Sequence, residues 1–209
     1  MKIGILSDAH GNTFCLKKCI DHLLPEVDEI FFLGDIYGYF PDSSGTIKLL
    51  KKHNIHCILG NHDFKALKDH QEKIKLLKKE DFNFINSLHT HHILIYKNIK
   101  VIMVHGSPTD YLNEYVHYNS DFNKWKGLPY DIILMGHTHR SFIKEIEGKY
   151  FINVGSCGLP RDIGNLFTMG IIDLEKKQYK IEKIEVTIEN IINTYPQIEN
   201  NVITCLHRK

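Results

Sequence analysis

The sequence predicts a mixed α/β fold, and three observations point to it. Strand and helix patterns alternate through the first half of the chain, which is typical of a sheet covered on both faces. The second half carries short apolar runs separated by Gly or Asn turns, and these indicate further strands. Several apolar runs end in short loops that carry Asp, Asn or His. We therefore expect a sandwich of mixed strands with helices outside it.

The elements of the first half follow from the spacing of apolar residues. Alternation over residues 2–7 predicts a strand, whereas residues 12–24 have helical spacing and end at Pro25, which cannot continue a helix. Ser43 or Ser44 is the expected N-cap of the second helix. The predicted elements of this half are, in order, strand 2–7, helix 12–24, strand 29–33, helix 46–52, strand 55–59 and helices at about 64–70 and 74–87.

The second half reads as a series of strands joined by tight turns. Lys97 and Asn98 lie between two apolar runs, which is a hairpin signal. We expect one domain over residues 1–209, with a C-terminal tail at about 195–209 that packs either on the body or on a second subunit of a homo-oligomer. The predicted elements here are strands 92–96, 100–104, 131–134, 142–146, 150–154, 166–172 and 179–185, the last four antiparallel, and a short helix at 186–194.

Composition argues against several classes of protein. Twenty-six Lys and Arg residues balance 25 Asp and Glu residues, so the net charge of +1 gives no overall field that favours nucleic acid or an anionic membrane. No apolar run approaches the roughly 18–20 residues of a membrane span. Charge interrupts the first apolar run too early for a signal peptide, so we expect a cytoplasmic protein. Five cysteines, four of them in apolar segments, argue against a disulfide scaffold.

Histidine is unusually frequent, with 14 in the chain, and several lie in loops that follow apolar runs. In a mainly parallel sheet such loops collect at one edge, where ligands bind. These loops combine imidazole nitrogens with carboxylate and amide oxygens, a set that suits divalent metals. The seven candidate ligands are Asp8, His10, Asp35, Asn61, His105, His137 and His139.

The number of candidate ligands predicts two metal ions. Asp8-x-His10 and His137-x-His139 each place two ligands on one face of extended backbone. A single catalytic ion keeps an open position and would not use seven ligands. Two ions about 3.5–4 Å apart, bridged by a carboxylate and a water, would use them all. Their charge would attract a phosphate and lower the pKa of the bridging water, which would give hydroxide near neutral pH.

These residues carry a resemblance to a known family, which covers about residues 1–172. The chain resembles the calcineurin-like metallophosphoesterases, and its short length favours the small bacterial and archaeal phosphodiesterase-like branch. The resemblance implies a four-layer α/β/β/α sandwich of two mixed sheets flanked by helices. The matching blocks, in the family's order, are Asp8-x-His10, Gly34-Asp35, Gly60-Asn61-His62-Asp63, His105 and Gly136-His137-x-His139.

The resemblance also implies a role for each position. Beside the metals, His62 would be catalytic, either as proton donor to the leaving alkoxide or by stabilising the transition state. Asp63 would orient His62 or cap the helix that follows. The implied cofactor is two divalent metal ions, with manganese expected first and Fe, Ni, Co or Zn compatible with the ligand set. One metal would be bound by Asp8, His10 and His139, the other by Asn61, His105 and His137, and Asp35 would bridge both.

One departure from the family concerns phosphate binding. Protein phosphatases of this superfamily follow the bridging Asp with an Asp-Arg-Gly element, whereas here Ile36-Tyr37-Gly38-Tyr39 contains no arginine. That difference argues against phosphoprotein substrates. Arg161 in a Gly- and Pro-rich loop is the candidate substrate-binding residue, and Arg140 is a weaker one. The alternative for Arg161 is a loop cation paired with Asp162.

The leading hypothesis is therefore a dinuclear metal-dependent phosphoesterase that uses a metal-bridging hydroxide on small phosphodiesters, nucleotides among them. A phosphomonoesterase is the alternative within the same chemistry. A non-catalytic scaffold, like a retromer subunit with this fold, is the alternative from another class, but no ligand is lost here. The balanced charge argues against a nucleic-acid partner. Tyr39 could stack a nucleobase or merely pack, and His117 could overhang the cleft or lie at the surface.

Overall fold

The computed structural model describes residues 1–74 and 77–209 and contains two five-stranded sheets. The strands are β1 (Lys2–Leu6), β2 (Glu29–Phe32), β3 (His56–Cys57), β4 (His91–Tyr96), β5 (Ile99–Val104), β6 (Ile132–Met135), β7 (Phe142–Ile146), β8 (Lys149–Asn153), β9 (Leu166–Asp173) and β10 (Gln178–Glu185). The helices are α1 (Thr13–Leu23), α2 (Ser43–Lys52), α3 (Asn61–Gln71), α4 (Lys79–Asn86), α5 (Ile188–Thr194) and α6 (Asn200–Leu206), with a 3-10 turn at Asn123–Trp125. These mixed sheets with flanking helices confirm the predicted fold class.

Strand direction determines where the loops meet. The first sheet has the order β10-β9-β1-β2-β3, in which β1, β2 and β3 are parallel and β9 is antiparallel to both its neighbours. The second has the order β4-β5-β6-β8-β7, with a parallel centre and antiparallel edges. Strand β8 was expected to be antiparallel and is so to β7, but it also runs parallel to β6. The carboxyl ends of the parallel strands can therefore share one edge.

The core has layers because β1 and β2 are buried on both faces. Ile5 and Leu33 pack between the two sheets, while Leu6 and Phe32 face the helices. This double burial explains why these strands read as continuous apolar runs. Each fully buried aliphatic side chain contributes roughly 1.5–3 kcal/mol of hydrophobic stabilisation.

The two outer faces are covered differently. Helical residues such as Leu16 and Leu206 cover the first sheet. The outer face of the second sheet is covered by loop residues around the 3-10 turn, with Phe122 and Trp125 packed on Phe151. The C-terminal tail packs on the body through α6, which is one of its two expected positions. Among residues 1–74 and 77–209, no helix has the length and apolar composition that crossing a membrane requires.

The starts of helices α1 to α5 differ from the predicted ones by one to five residues, and those of α2 and α3 bear on the site. Helix α2 begins at Ser43, and its N-cap is Asp42, whose Oδ1 accepts a hydrogen bond from Gly45 N at 2.9 Å. The expected cap at Ser43 or Ser44 was therefore wrong, because Asp is an equally good cap one residue earlier. Helix α3 begins at Asn61, three residues before the predicted start. The predicted helix 74–87 includes residues 75 and 76, which lie outside the described residues, and among its other residues the structure has a helix only over α4.

Candidate metal centre

The seven predicted ligands meet at one edge of the sheets. Six follow strands β1, β2, β5 and β6, and Asn61 is the first residue of α3. All except Asn61 are buried. Three groups have ligand atoms within 4.8 Å of one another: Asp8, His10 and His139 form the first group, Asp35, His105 and His137 the second, and His10, Asp35 and His62 a third that joins them.

The backbone of the ligand loops is held in an unfavourable conformation. A left-handed backbone at a non-glycine residue costs about 1 kcal/mol or more and is often found at functional sites. Main-chain hydrogen bonds fix it here, since Asp8 N donates to Gly34 O at 3.0 Å and His10 N to Asp35 O at 2.9 Å. Five of the seven ligands have φ between 49° and 67°, namely Asp8, His10, Asp35, His137 and His139.

The imidazoles of the first group direct lone pairs at one another. His10 Nδ1 lies 3.1 Å from Tyr37 O, and His139 Nδ1 lies 2.6 Å from Leu159 O. A carbonyl only accepts, so each Nδ1 carries the proton and donates it. The two Nε2 atoms then face each other at 2.9 Å. His139 Nε2 is also 3.2 Å from Asp8 Oδ1, so acceptors converge here in the way a cation requires.

The second group repeats this arrangement. His105 Nδ1 donates to Leu33 O at 2.8 Å, and its Nε2 faces Asn61 Oδ1 at 2.9 Å. His137 is turned the other way: its Nε2 donates to Asn113 O at 3.1 Å, which leaves Nδ1 free. A backbone carbonyl that fixes the second nitrogen is the usual support for a metal-binding histidine.

Asp35 lies between the two groups. Its Oδ2 is 3.5 Å from His10 Nε2 and 3.3 Å from His105 Nε2. Its Oδ1 accepts a hydrogen bond from His62 N at 2.9 Å, which orients the carboxylate. The position fits the predicted bridging carboxylate.

The buried carboxylates of the cluster favour the binding of cations. Burial alone would raise the pKa of Asp35, but the charges on His105 and His10 and a hydrogen bond to His105 together lower that pKa to about 2. Burial would lower the pKa of His105, yet the charges on Asp35 and Asp8 raise it to about 9. Among the described residues, Asp8 Oδ1 is a buried polar atom without a hydrogen-bond partner. These residues fit a pair of divalent cations, which would satisfy that oxygen.

Two glycines allow the loops to approach this closely. A Cβ on Gly136 would overlap Ser7 Oγ and lie 2.7 Å from Asp8 Oδ2. A Cβ on Gly60 would overlap the backbone nitrogen and Oδ1 of Asp35. Any side chain at either position would displace a carboxylate ligand.

His62 and Asp63 occupy different environments. The His62 ring stands edge-on to His10, with ring centroids 4.8 Å apart, and burial lowers its pKa to about 4. Asp63 is fully buried and accepts hydrogen bonds from the backbone nitrogens of Asp35, Tyr37 and Gly60 at 2.9–3.0 Å. Of the two expectations for Asp63, these contacts match the helix cap, and they also hold the loop that carries Asp35.

The predicted substrate residue Arg161 lies at the rim of the cluster. Its Nη2 donates to Tyr39 Oη at 3.2 Å, and the Tyr39 ring centroid is 4.7 Å from that of His10. The alternative pairing with Asp162 is made instead by Arg140, at 3.6 Å.

Sequence reasoning missed Tyr115, whose ring stacks on His137 with centroids 3.9 Å apart. It also missed Asn113, whose carbonyl fixes the same histidine. The only signal was the position of residues 113–119 after the His105 loop, which had singled out His117.

The sequence and the fold are both similar to those of known proteins. The family model for the calcineurin-like phosphoesterase superfamily domain matches residues 1–177. A phosphodiesterase of Methanocaldococcus jannaschii is 30% identical over 86% of this chain and 97% of its own length. An uncharacterized protein of the same archaeon is 29% identical over 95% of this chain and 92% of its own. The crystal structure of a metallophosphoesterase from Sphaerobacter thermophilus has a TM-score of 0.79 and 23% identity, covering 99% of this chain and 98% of that one.

Proposed function

Because the chain belongs to the calcineurin-like phosphoesterase superfamily, we propose that it is a dinuclear metal-dependent phosphodiesterase. One observation carries the proposal. Four histidines each donate a hydrogen bond from one ring nitrogen to a backbone carbonyl, and the other ring nitrogen lies near the buried carboxylates of Asp8 and Asp35. These histidines are His10, His105, His137 and His139. This arrangement suits two cation sites that share Asp35.

The metal ions and the protein have separate tasks in this proposal. Two divalent cations, when bound, supply positive charge for a phosphate and make water acidic enough to give hydroxide near neutral pH. Asp8, His10 and His139 would hold one cation, and Asp35 would hold both. The second cation would be held by Asn61, His105 and His137. Manganese is our first candidate, and the nitrogen and oxygen ligands are also compatible with Fe, Ni, Co or Zn.

The chain's own residues complete the reaction. His62 is half-buried beside His10, where its N–H would donate a hydrogen bond to a phosphate ester. The negative charge of that ester would raise the pKa of His62 from about 4, and a protonated His62 would donate its proton to the leaving alkoxide. Asp63 acts as a positioning residue through the backbone of Asp35. Arg161 would bind a phosphate oxygen from the rim. Positioning and electrostatics account for most of the acceleration in phosphoryl transfer.

Diesters are favoured over monoesters by the wall of the site. The loop at Ile36-Tyr37-Gly38-Tyr39 places a tyrosine ring, and no arginine, against His10. The similar archaeal protein is a phosphodiesterase. A diester carries one charge fewer than a monoester, so it depends less on a guanidinium at this position.

Turnover of two nitrophenyl esters tests the proposal. Protein reconstituted with Mn²⁺ is assayed with bis(4-nitrophenyl) phosphate and with 4-nitrophenyl phosphate, and bound metal is measured on the same samples. We expect two ions per chain and a kcat/KM at least about tenfold higher for the diester. Folded protein that hydrolyses neither ester with Mn, Fe, Co, Ni or Zn would contradict the function. A preference for the monoester would replace it with the phosphomonoesterase alternative.

A further inference from the structure

A second polar feature adjoins the metal ligands, a pocket of about 510 Å³ that we call the arginine pocket. Its wall includes Arg140, Arg161 and Arg208, which are the only three arginines in the sequence. The other 23 basic residues are lysines, and among the residues that the structure describes no lysine, Asp or Glu lines this wall. The chain thus uses lysine on its general surface and arginine at this one place.

The chemical difference between lysine and arginine indicates what kind of ligand the pocket binds. Lysine carries a compact, strongly hydrated charge, whereas the planar guanidinium offers parallel N–H donors that match two oxygens of a phosphate. Three such groups around one pocket form a site for an anion with several oxygens. Arg161 alone would be enough to bind a phosphate at the metal cluster, so Arg140 and Arg208 need another explanation.

Little in the protein neutralises these three charges. Arg161 donates to Tyr39 Oη, and Arg208 Nη1 donates to the Arg161 carbonyl at 3.4 Å. Arg140 lies 3.6 Å from Asp162, in a pair that is exposed enough to be worth at most about 1 kcal/mol. Within residues 1–74 and 77–209 that is the single carboxylate in ion-pair contact with the three guanidinium groups. The pocket therefore keeps a positive potential for an anionic ligand.

The arginine pocket opens directly beside the cluster. Tyr39 and Tyr115 belong to its wall and also contact the candidate ligands: Tyr39 lies beside His10, and Tyr115 stacks on His137. Tyr115 and His117 are nearly parallel, with an interplanar angle of 12°, and their rings form an aromatic surface on which a nucleobase can stack. A molecule with one phosphate at the cluster can therefore reach the arginines without leaving the protein.

Part of this wall lies outside the region that matches the family. Asn201, Val202 and Cys205 of α6 line the arginine pocket together with Arg208, whereas the family match ends at residue 177. The α6 contribution therefore lies outside the matched family domain, and segments that pack on the edge of a catalytic domain are a common source of substrate choice.

We propose that the arginine pocket binds a second phosphate group of the substrate, so that the preferred substrates are nucleotide-type phosphodiesters with a terminal phosphate. This inference rests on the proposed phosphodiesterase function, because it assigns the cluster to the scissile phosphate. Arg140 and Arg208 are then specificity-determining residues, and the stacked rings of Tyr115 and His117 hold the nucleoside between the two phosphates.

Binding by metal-free protein is the first test. EDTA-treated and dialysed protein is titrated with inorganic pyrophosphate by calorimetry. The wild type is expected to bind, and Arg140→Gln and Arg208→Gln are each expected to weaken binding about tenfold, since each loses a bidentate partner. The matched control is Lys126→Gln, which removes a cation paired with Glu147 at the far turn of the β7–β8 hairpin and leaves binding unchanged. Absence of binding by the wild type, or equal binding by all four proteins, would overturn the proposal.

Turnover of matched dinucleotides is the second test. Mn²⁺-loaded protein is given ApA, its 5′-phosphorylated form pApA and its 3′-phosphorylated form ApAp, which share one scissile diester. At least one phosphorylated form is expected to have a kcat/KM about tenfold or more above that of ApA. In Arg140→Gln and Arg208→Gln the ratio of kcat/KM for the phosphorylated dinucleotide to that for ApA is expected to fall towards one. In Lys126→Gln this ratio is expected to equal that of the wild type.

The outcomes separate the inference from the function on which it rests. Equal turnover of all three dinucleotides, with bis(4-nitrophenyl) phosphate still hydrolysed, overturns the inference alone, even where pyrophosphate binds as a free anion. If the dinucleotides are not cleaved at all while the nitrophenyl diester is, the inference also fails. Loss of all diester turnover, with pyrophosphate binding retained, refutes the proposed function instead.

Discussion

The metal-ligand cluster and the arginine pocket lie side by side but are built in opposite ways. The cluster consists of short side chains, nearly all buried, on loops whose backbone conformation is fixed by main-chain hydrogen bonds. The arginine pocket consists of long side chains that reach a common space from three segments of the chain. In the proposed enzyme, the positions of the metal ligands would therefore be set by the backbone, while substrate recognition would depend on side chains that can be exchanged without moving those ligands.

The two regions also differ in what an ionic ligand does for the fold. In the cluster, the carboxylates of Asp8 and Asp35 are buried, and Asp8 Oδ1 has no hydrogen-bond partner. Because cations would bind these oxygens in the folded protein only, they would stabilise the native state. In the arginine pocket, the charged groups are partly exposed and their repulsion is screened by water. Perturbing the cluster should thus affect metal content, stability and activity together, whereas perturbing the pocket should affect recognition alone.

The largest effect is expected from Asp35→Asn, because a neutral amide bridges two cations poorly. We expect the bound metal to fall from two ions to one or fewer and kcat/KM for the nitrophenyl diester to fall more than about 10³-fold. Mn²⁺ should also raise the melting temperature of this variant less than that of the wild type. Asp131→Asn is the control, since that exposed carboxylate accepts from Lys100 N at the opposite end of β6. Unchanged stoichiometry and rate would exclude a bridging role for Asp35.

His62→Ala separates catalysis from metal binding within the cluster. The imidazole lies near His10 and Asp35 and could serve as a ligand or as a proton donor. We expect kcat to fall about 10²-fold with two ions retained, because a positioned general acid contributes that much. His53→Ala, at the C-terminal end of α2, should leave kcat unchanged. If metal analysis instead finds an ion lost from His62→Ala, this histidine is a ligand.

Asp63→Asn tests whether the support of the cluster acts through the backbone. The side-chain amide would present N–H groups to one of the three backbone N–H donors that Asp63 now accepts. We expect the affinity for Mn²⁺ to fall about tenfold, with kcat at saturating metal falling less. Asp42→Asn is the matched control, because Asn caps a helix as well as Asp. A fall in kcat at saturating Mn²⁺ with unchanged affinity would make Asp63 a direct participant in the reaction.

The contrast between the two regions also explains what could be read from the sequence. The convergence of the seven candidate ligands was predictable because each follows an apolar strand within one to four residues, and parallel strands bring such loops to one edge. The arginine pocket was predictable only in part. Arg161 and Arg140 were candidates from the sequence, but Tyr115 and Arg208 join them through the loop after β5 and through α6, whose docking depends on tertiary packing. Local capping was ambiguous for another reason: Asp42, Ser43 and Ser44 are all good caps, and only the path of the chain chooses among them.

Leu206→Ala gives the smallest expected effect on turnover and tests the independence of the two regions most directly. Leu206 is fully buried where α6 packs on the core, and it does not line the arginine pocket. Its loss should cost about 2–5 kcal/mol of stability. The folded protein should nevertheless keep two metal ions and an unchanged kcat for the nitrophenyl diester, because none of the seven candidate ligands lies on α6. Leu24→Ala, at a side chain that is 45% exposed, controls for the loss of a leucine. If Leu206→Ala loses metal in proportion to stability, the cluster and the C-terminal helix form one cooperative unit, and the separation between chemistry and recognition fails.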